Sequence, residues 1–348
     1  MSIEIINSEK FANISDVVYS EITTQEKFQE LQNLNKLRII DKTNTPDVNL
    51  VWYVAEEINI SDGDVIFCQT ELVKYLFQSL YDLHEFNNIT LITNQSDLEI
   101  DEELYNLKPD CISKWYSTNV NFDAPNLIPI PIGVNNSYIK KYVHAEDFEK
   151  NEFKGFVNKN HVFYTNFNLN TNPFHRLHTA IFVSRNNKSV LNKPTATKKT
   201  YLNDLDNAKF TICPWGNGYD SHRIWESIYA NSIAITKSSK AFESFDDLPI
   251  IQLKSFKNFK RFSFDNQKIF NMEKADFRYW KKLLIVKSKE FKNKSFKLDC
   301  SIHNQQFIKD KNTLNKKTYR FKKRRSVLFR SYKLLVKVFS NSKLREIL

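Results

Sequence analysis

Residues 210–236 read FTICPWGNGYDSHRIWESIYANSIAIT, and their division into elements decides how the chain folds. FTICP (210–214) and SIAIT (232–236) are short apolar runs of strand type, and SHRIWESIYAN (221–231) has its apolar residues at helical spacing. The turn between the first strand and the helix is WGNGYD, which holds two of the five glycines in the chain, Gly216 and Gly218. A strand–turn–helix–strand order of this kind builds a parallel sheet and puts the turn at the carboxyl end of a strand, where open α/β sheets bind ligands. The start of the helix supplies unpaired backbone N–H groups and a partial positive charge, both suited to a phosphate. Gly216 and Gly218 are expected to adopt positive φ and to let the backbone come close to a ligand. Ser221 or Asp220 is expected to cap the helix. His222 and Arg223 add donors for a diphosphate, and Glu226 lies one turn on, where a carboxylate accepts from ribose hydroxyls. As a dinucleotide fingerprint the turn is incomplete, because Ser221 stands where a third glycine belongs. A plain strand–turn–helix remains the alternative reading.

Outward from this stretch the pattern repeats. NLVWYVA (49–55), DVIFCQ (64–69), ITLIT (89–93) and NLIPIPIGV (126–134) read as strands, with Pro129 and Pro131 placing the last at a sheet edge. TELVKYLFQSLYDLHEF (70–86) reads as a helix. After a polar stretch at 140–160 come HVFYTNF (161–167), AIFVS (180–184), FTICP, SIAIT and PIIQL (249–253) as strands, with KKTYLNDLDNA (198–208) as a further helix. Alternating strands and helices predict the α/β class with parallel sheets covered on both faces. The break predicts two Rossmann-like domains across a cleft, at residues 1–150 and 151–300, followed by a basic tail at 301–348.

The net charge of +11 is concentrated in that tail. Residues 316–348 contain 12 Lys or Arg and one acid, Glu346, so the rest of the chain is neutral; residues 1–110 are acidic, with 7 basic against 21 acidic side chains. Leu328, Tyr332, Leu335 and Phe339 would share one helical face of the tail, opposite Arg330, Lys333 and Lys337. Such a helix suits an anionic membrane surface, or else packs on the protein with its basic side solvated. A neutral body without a nucleic-acid module argues against nucleic acid as partner. Cys68, Cys111, Cys213 and Cys300 lack the paired spacing of zinc or redox sites. With no basic segment leading into an apolar core at the N-terminus, the expectation is free thiols and a cytoplasmic protein, peripheral on the membrane if the tail binds it.

The segment 209–253, from KFTICPWGNGYDSHRIWESIYAN through SIAIT and DLPI to PIIQL, resembles the donor-binding segment of exostosin-like glycosyltransferases and the related ribitol xylosyltransferases. Their pattern of F-x-[IL]-[CS]-P-x-G-x-G-x-D-x-H-R-x-W-E is matched nearly in full. VFYTNFNLNTNPFHR (162–176), LITNQSDLEI (91–100), KWYSTNV (114–120) and LIPIPIGVNN (127–136) resemble other parts of the family in order, so the likeness spans about residues 50–255. It implies a GT-B architecture, with a nucleotide-sugar on the C-terminal domain and a glycan or lipid-linked glycan acceptor on the N-terminal one. By position it implies that Glu226 holds the ribose, that His222 and Arg223 lie near the diphosphate, and that Asn217, Gly218 and Asp220 line the sugar side. It implies no obligatory metal and no cofactor beyond the donor. Asn231 and Ala234 depart from the glycine and proline the family often has around the strand after this helix.

Other residues complete the candidate site. Arg185, taken to follow the strand AIFVS, would emerge at its carboxyl end and meet a phosphate, or be a solvated loop arginine. Asp97, after ITLIT, is the candidate general base for the acceptor hydroxyl, with turn capping as its ordinary role; Glu56 and Glu57 are weaker alternatives. His175 and His178 have the spacing of a metal pair without a third ligand. Trp225 reads as core, and Trp215 as a ring that would stack on a base or sugar. The resulting expectation is a glycosyltransferase of surface-glycan synthesis. The alternative is a catalytically silent nucleotide- or glycan-binding protein of the same fold.

Overall fold

The computed structural model describes residues 3–45, 48–191, 197–264, 269–288 and 295–311, together with 329–330, 333–334 and 336–337. The chain is a mixed α/β protein that divides into two compact units, Met1–Ala145 with Asp276–Leu314, and Glu146–Ala275 with Asn315–Leu348. Among the described residues no helix is long and apolar enough to cross a membrane.

In the first unit, β1 (Val17–Val18), β2 (Val65–Gln69), β3 (Ile89–Asn94), β4 (Ile112–Ser117) and β5 (Leu127–Pro129) form a parallel sheet in that order. Every residue of β2 and β3 is buried, as expected of strands covered on both faces. Helix α1 (Val73–Leu80) connects β2 to β3 and buries Val73, Leu76, Phe77 and Leu80 at three- and four-residue spacing. β5, with Pro129, lies at the sheet edge.

NLVWYVA is not part of this sheet. The strand Val48–Ala55 is instead the centre of an antiparallel set, between Ser20–Thr24 and Leu37–Thr45. It is buried on both faces, with Val51 and Tyr53 packed with Phe28 on one and Leu50 and Val54 buried on the other. Residues 276–300 also depart from the expected boundary: they complete the first unit instead of belonging to the second. Ser295–Asp299 pairs antiparallel with Glu57–Ser61. The buried Asn304 then donates to Ala55 O at 2.9 Å and accepts from Tyr19 Oη at 2.6 Å.

In the second unit, β6 (His161–Thr165), β7 (Ser189–Leu191), β8 (Ala208–Ile212), β9 (Ile233–Lys237) and β10 (Ile250–Leu253) form a parallel sheet in the order β7-β6-β8-β9-β10. The helices between them are α2 (Pro173–Val183), α3 (Lys198–Asn207) and α4 (His222–Tyr229). AIFVS, expected as a strand, is the end of α2. The buried side chains Pro173, Arg176, Leu177, Ala180 and Val183 follow helical spacing across the whole segment, with Pro173 at the first helical position. The core is rich in phenylalanine, with Phe163, Phe210, Phe256 and Phe259 buried around the sheet.

Helix α4 is closed by Asn231, one residue past its C-cap Ala230, with a left-handed φ of 55°. The Asn231 N–H donates to Ile228 O at 3.0 Å, and the Ser232 N–H to Ser227 O at 2.9 Å. This paired arrangement closes a helix on a left-handed residue, a role asparagine fills at less cost than most non-glycine residues. The C-terminal tail falls largely outside the described residues, including Leu328, Tyr332, Leu335 and Phe339. Of its described residues, Phe329 is buried in the phenylalanine core and Val336 packs against it, while Leu334 is exposed.

Candidate functional site

In the first unit the strand order follows the chain. In the second it reverses, because the chain goes from β6 to one side and then returns to the other side for β8. Loops leaving the carboxyl ends of strands at such a reversal diverge and leave a crevice, the usual ligand position in open α/β sheets. The two loops concerned are 166–172, after β6, and 213–221, after β8.

Arg176 joins them. It is buried, with Nε donating to Trp215 O at 3.0 Å and Nη1 to Asn168 O at 3.0 Å. Asn172 adds a second tie, its Nδ2 donating to Gly216 O at 2.9 Å from a left-handed backbone with φ 49°. Gly216 and Gly218 do not have the positive φ expected of them; the positive-φ glycines are Gly63 and Gly133. A Cβ at Gly216 would stand 3.4 Å from Arg176 Nη2, the far end of a long side chain, so space alone does not demand a glycine there. The Gly216 N–H donates to Gly218 O at 3.0 Å, which closes the turn.

Trp215 is already packed and not held open for a base. His175 stacks on it at 5.2 Å, Tyr219 meets it edge-on at 4.8 Å, and Lys237 Nζ lies 4.4 Å from its ring centroid. Its Nε1 donates to Lys237 O at 3.1 Å. His178 packs edge-on against Phe182, so the two histidines are committed to separate aromatic contacts.

Burial, helped by Lys237, His178 and Arg176, pushes His175 down to about 4, and its Nδ1 is enclosed without a partner among the described residues. The folded protein therefore keeps this ring neutral at pH values where the unfolded chain protonates it. Stability from this source is present above about pH 6.5 and is lost as pH falls towards 4. We expect the melting temperature of the native protein to fall more steeply from pH 7 to pH 4 than that of His175→Phe, which keeps the stack. Parallel curves would remove this account.

Residues 217–226 run through the turn after β8 and into α4. Asn217 is exposed; Gly218, Asp220 and Glu226 are buried; Ser221, His222 and Arg223 are half-buried. Ser221 occupies the helix N-cap position, but its side chain makes no capping bond. Its Oγ and the Nε of Arg223 are enclosed with no hydrogen-bond partner among the described residues. At this turn the Ile224 N–H already donates to Ser221 O at 2.9 Å. Asp220 has a structural task, accepting from Trp225 Nε1 at 2.9 and 3.1 Å, and Trp225 is core. Glu226 accepts from Tyr201 Oη at 2.6 Å. Burial, then the Glu226 carboxylate, hold the Tyr201 phenol well above its usual range. Beside this pair, Tyr164 Oη donates to Asp204 at 3.0 Å and accepts from Asn166 Nδ2 at 2.9 Å.

Arg185 is not brought to this loop. Because β6 and β7 are parallel, α2 must run back to the amino edge of the sheet, and Arg185 follows its last residue there. It is exposed, with its guanidinium carbon 4.7 Å from the Phe182 ring centroid. Asp97 belongs to the first unit, exposed in the loop after β3. Glu56 pairs with Arg38, and Glu57 with Lys36 and Lys297. At the same edge of the first sheet, Gln69 and Asn94 are register partners at the ends of β2 and β3. Gln69 Nε2, Asn94 Nδ2 and the Oγ1 of Thr118, just past β4, are buried without partners among the described residues.

Two positioning residues, Arg176 and Asn172, were missed in the sequence. Their signal is NPFHR (172–176), a helix start on Asn-Pro with an arginine one turn in. No family model matches the chain, and no curated protein matches it. Function must therefore be argued from the chemistry of the site.

Proposed function

We propose that the protein is a glycosyltransferase of GT-B type that moves a sugar from a nucleotide-sugar to a glycan or lipid-linked glycan. The observation that carries this reading is the start of α4, where unsatisfied groups of Ser221 and Arg223 sit at a helix N-terminus beside the strand-order reversal. In this proposal the diphosphate lies against that turn, held by backbone N–H groups, His222 and Arg223. When the bond from the sugar to the diphosphate breaks, negative charge grows on the leaving oxygen. Preformed donors that need no reorganisation lower that barrier. Glu226, already oriented by Tyr201, accepts from the ribose. Asp97 takes the proton of the acceptor hydroxyl.

A silent nucleotide-binding protein is the second reading. It is favoured by the engagement of both carboxylates of the segment, Asp220 of the loop with Trp225 and Glu226 of α4 with Tyr201. A thermal-shift screen against nucleoside diphosphates and nucleotide-sugars, followed by assays for hydrolysis and transfer, separates them. A ligand at a hundred times its Kd stabilises by about 2.7 kcal/mol, a rise of roughly 5–11 °C for a domain of this size. A shift lost in Arg223→Gln and Glu226→Ala, with turnover, supports the transferase. The same shift without turnover supports the silent binder, and no shift with any compound overturns both.

A further inference from the structure

The net charge of the body hides a strong local asymmetry. Residues 153–203 and 248–264 contain no Asp or Glu. The fold gathers parts of both segments around one aromatic cluster. Phe182, at the end of α2, and Phe256 and Phe259, in the 3-10 turn Phe256–Arg261, pack together. Asn186 Nδ2 donates to Phe259 O at 3.4 Å. Phe329, from the C-terminal segment, is buried in the same cluster and meets Phe174 edge-on at 5.8 Å.

Outside this cluster lie cations. Arg185, Lys257, Lys260, Arg261 and Arg330 are exposed and Lys333 is half-exposed, and none is ion-paired among the described residues. His178 registers the field they make: burial first, then Lys257, Lys237 and Arg185, lower its pKa. Two apolar side chains of the same elements stand exposed, Phe174 of α2 at 42 % and Leu334 of the C-terminal segment at 67 %. Basic groups interspersed with exposed aromatic and aliphatic side chains match the interface of an anionic bilayer, with cations at the headgroups and apolar groups below them.

We infer that this composite face of the second unit, formed by α2, the 3-10 turn and the described C-terminal residues beside Phe329, docks on an anionic lipid surface. It differs from a tail that binds lipid by itself, because Phe329 is spent on the protein core and four of the six cations belong to the body. Phe174 immediately precedes His175, which stacks on Trp215 of the 213–221 loop, so the face adjoins the candidate site.

The test uses the full chain and flotation with phosphatidylcholine vesicles, with and without phosphatidylserine, at low and high salt. Each cation near an anionic leaflet contributes a factor of about five to partitioning, so Lys257→Gln/Lys260→Gln/Arg261→Gln is expected to weaken binding by about 100-fold. Binding should require phosphatidylserine and weaken with salt, and Leu334→Ser should reduce it further. Circular dichroism melting checks that the triple variant stays folded, and its nucleotide-induced thermal shift should match that of the native protein. Equal binding to both vesicle types, or an unchanged triple variant, overturns the inference. So does preferential capture by duplex nucleic acid, or displacement by inorganic phosphate at matched ionic strength. Because donor binding is measured separately, failure here is distinguishable from failure of the transferase reading.

Discussion

Arg176→Met is expected to lower the melting temperature of the second unit by about 6–12 °C and to abolish its response to nucleotides. The guanidinium donates to Trp215 O and Asn168 O from a buried position. Hydrogen bonds from a charged donor are worth ~1.5–3 kcal/mol each, and their loss leaves both carbonyls unpaired. Against this stands the relief of a buried charge, so the net cost is about 3 kcal/mol, which gives that range of temperature. Methionine preserves the apolar stem, and the loss therefore reports the head group. Arg176→Lys should fail almost as badly, because an ammonium is a point donor and cannot span two carbonyls as a planar fork does.

The consequence for binding follows from the same contacts. Loops 166–172 and 213–221 are joined by Arg176 and Asn172. Without Arg176, the turn preceding α4 loses the contact that sets the direction of the helix start. A site whose donors must be reordered on binding loses affinity through that ordering cost. Chemical denaturation and a thermal-shift titration on the same sample distinguish the two effects. A folded variant that melts within about 2 °C of the native protein and still responds to nucleotide would show that Arg176 is incidental.

The sequence made some of this visible, and its limits have physical causes. The strand–turn–helix of 210–231 was legible because each piece is local: an apolar run, a glycine turn, a helical period. AIFVS misled because four apolar residues and a serine fit a buried strand as well as a helix end. The deciding signal was the spacing from Pro173 to Val183, twice as long as the run. NLVWYVA was a strand, but its antiparallel partners depend on register with Ser20–Thr24 and Leu37–Thr45. The pairing of Ser295–Asp299 with Glu57–Ser61 joins segments too far apart in the chain for any periodicity to reveal. Arg176 was hidden for a similar reason, since a single arginine in a helix reads as solvated until the carbonyls it meets are known. Arg185 was misplaced because the strand before it was a helix, which moved it to the other edge of the sheet.

Lys159→Met is expected to cost about 3 kcal/mol, although NKNH (158–161) reads as an ordinary polar turn. The side chain is buried and its Nζ donates to Leu205 O at 3.1 Å, Asp206 O at 2.9 Å and Ala230 O at 2.8 Å. Two of these carbonyls lie in the last turn of α3 and the third caps the end of α4, where helices leave acceptors unpaired and favour a cation. Burial pushes the ammonium down to about 8, which still leaves it mostly charged at neutral pH. Its loss leaves acceptors without partners, at ~1–3 kcal/mol each, offset in part by removing a buried charge. The effect should extend to the site, because α3 carries Tyr201 and α4 carries Glu226, whose hydrogen bond depends on how the two helices are held. We expect denaturant unfolding of Lys159→Met to show a lower midpoint with an unchanged slope, and its nucleotide-induced thermal shift to shrink. Lys159→Gln, which retains one amide donor group, should fall between the two proteins. If Lys159→Met matched the native midpoint, the ends of α3 and α4 would be held by packing alone, and the Tyr201–Glu226 pair would need another explanation for its position.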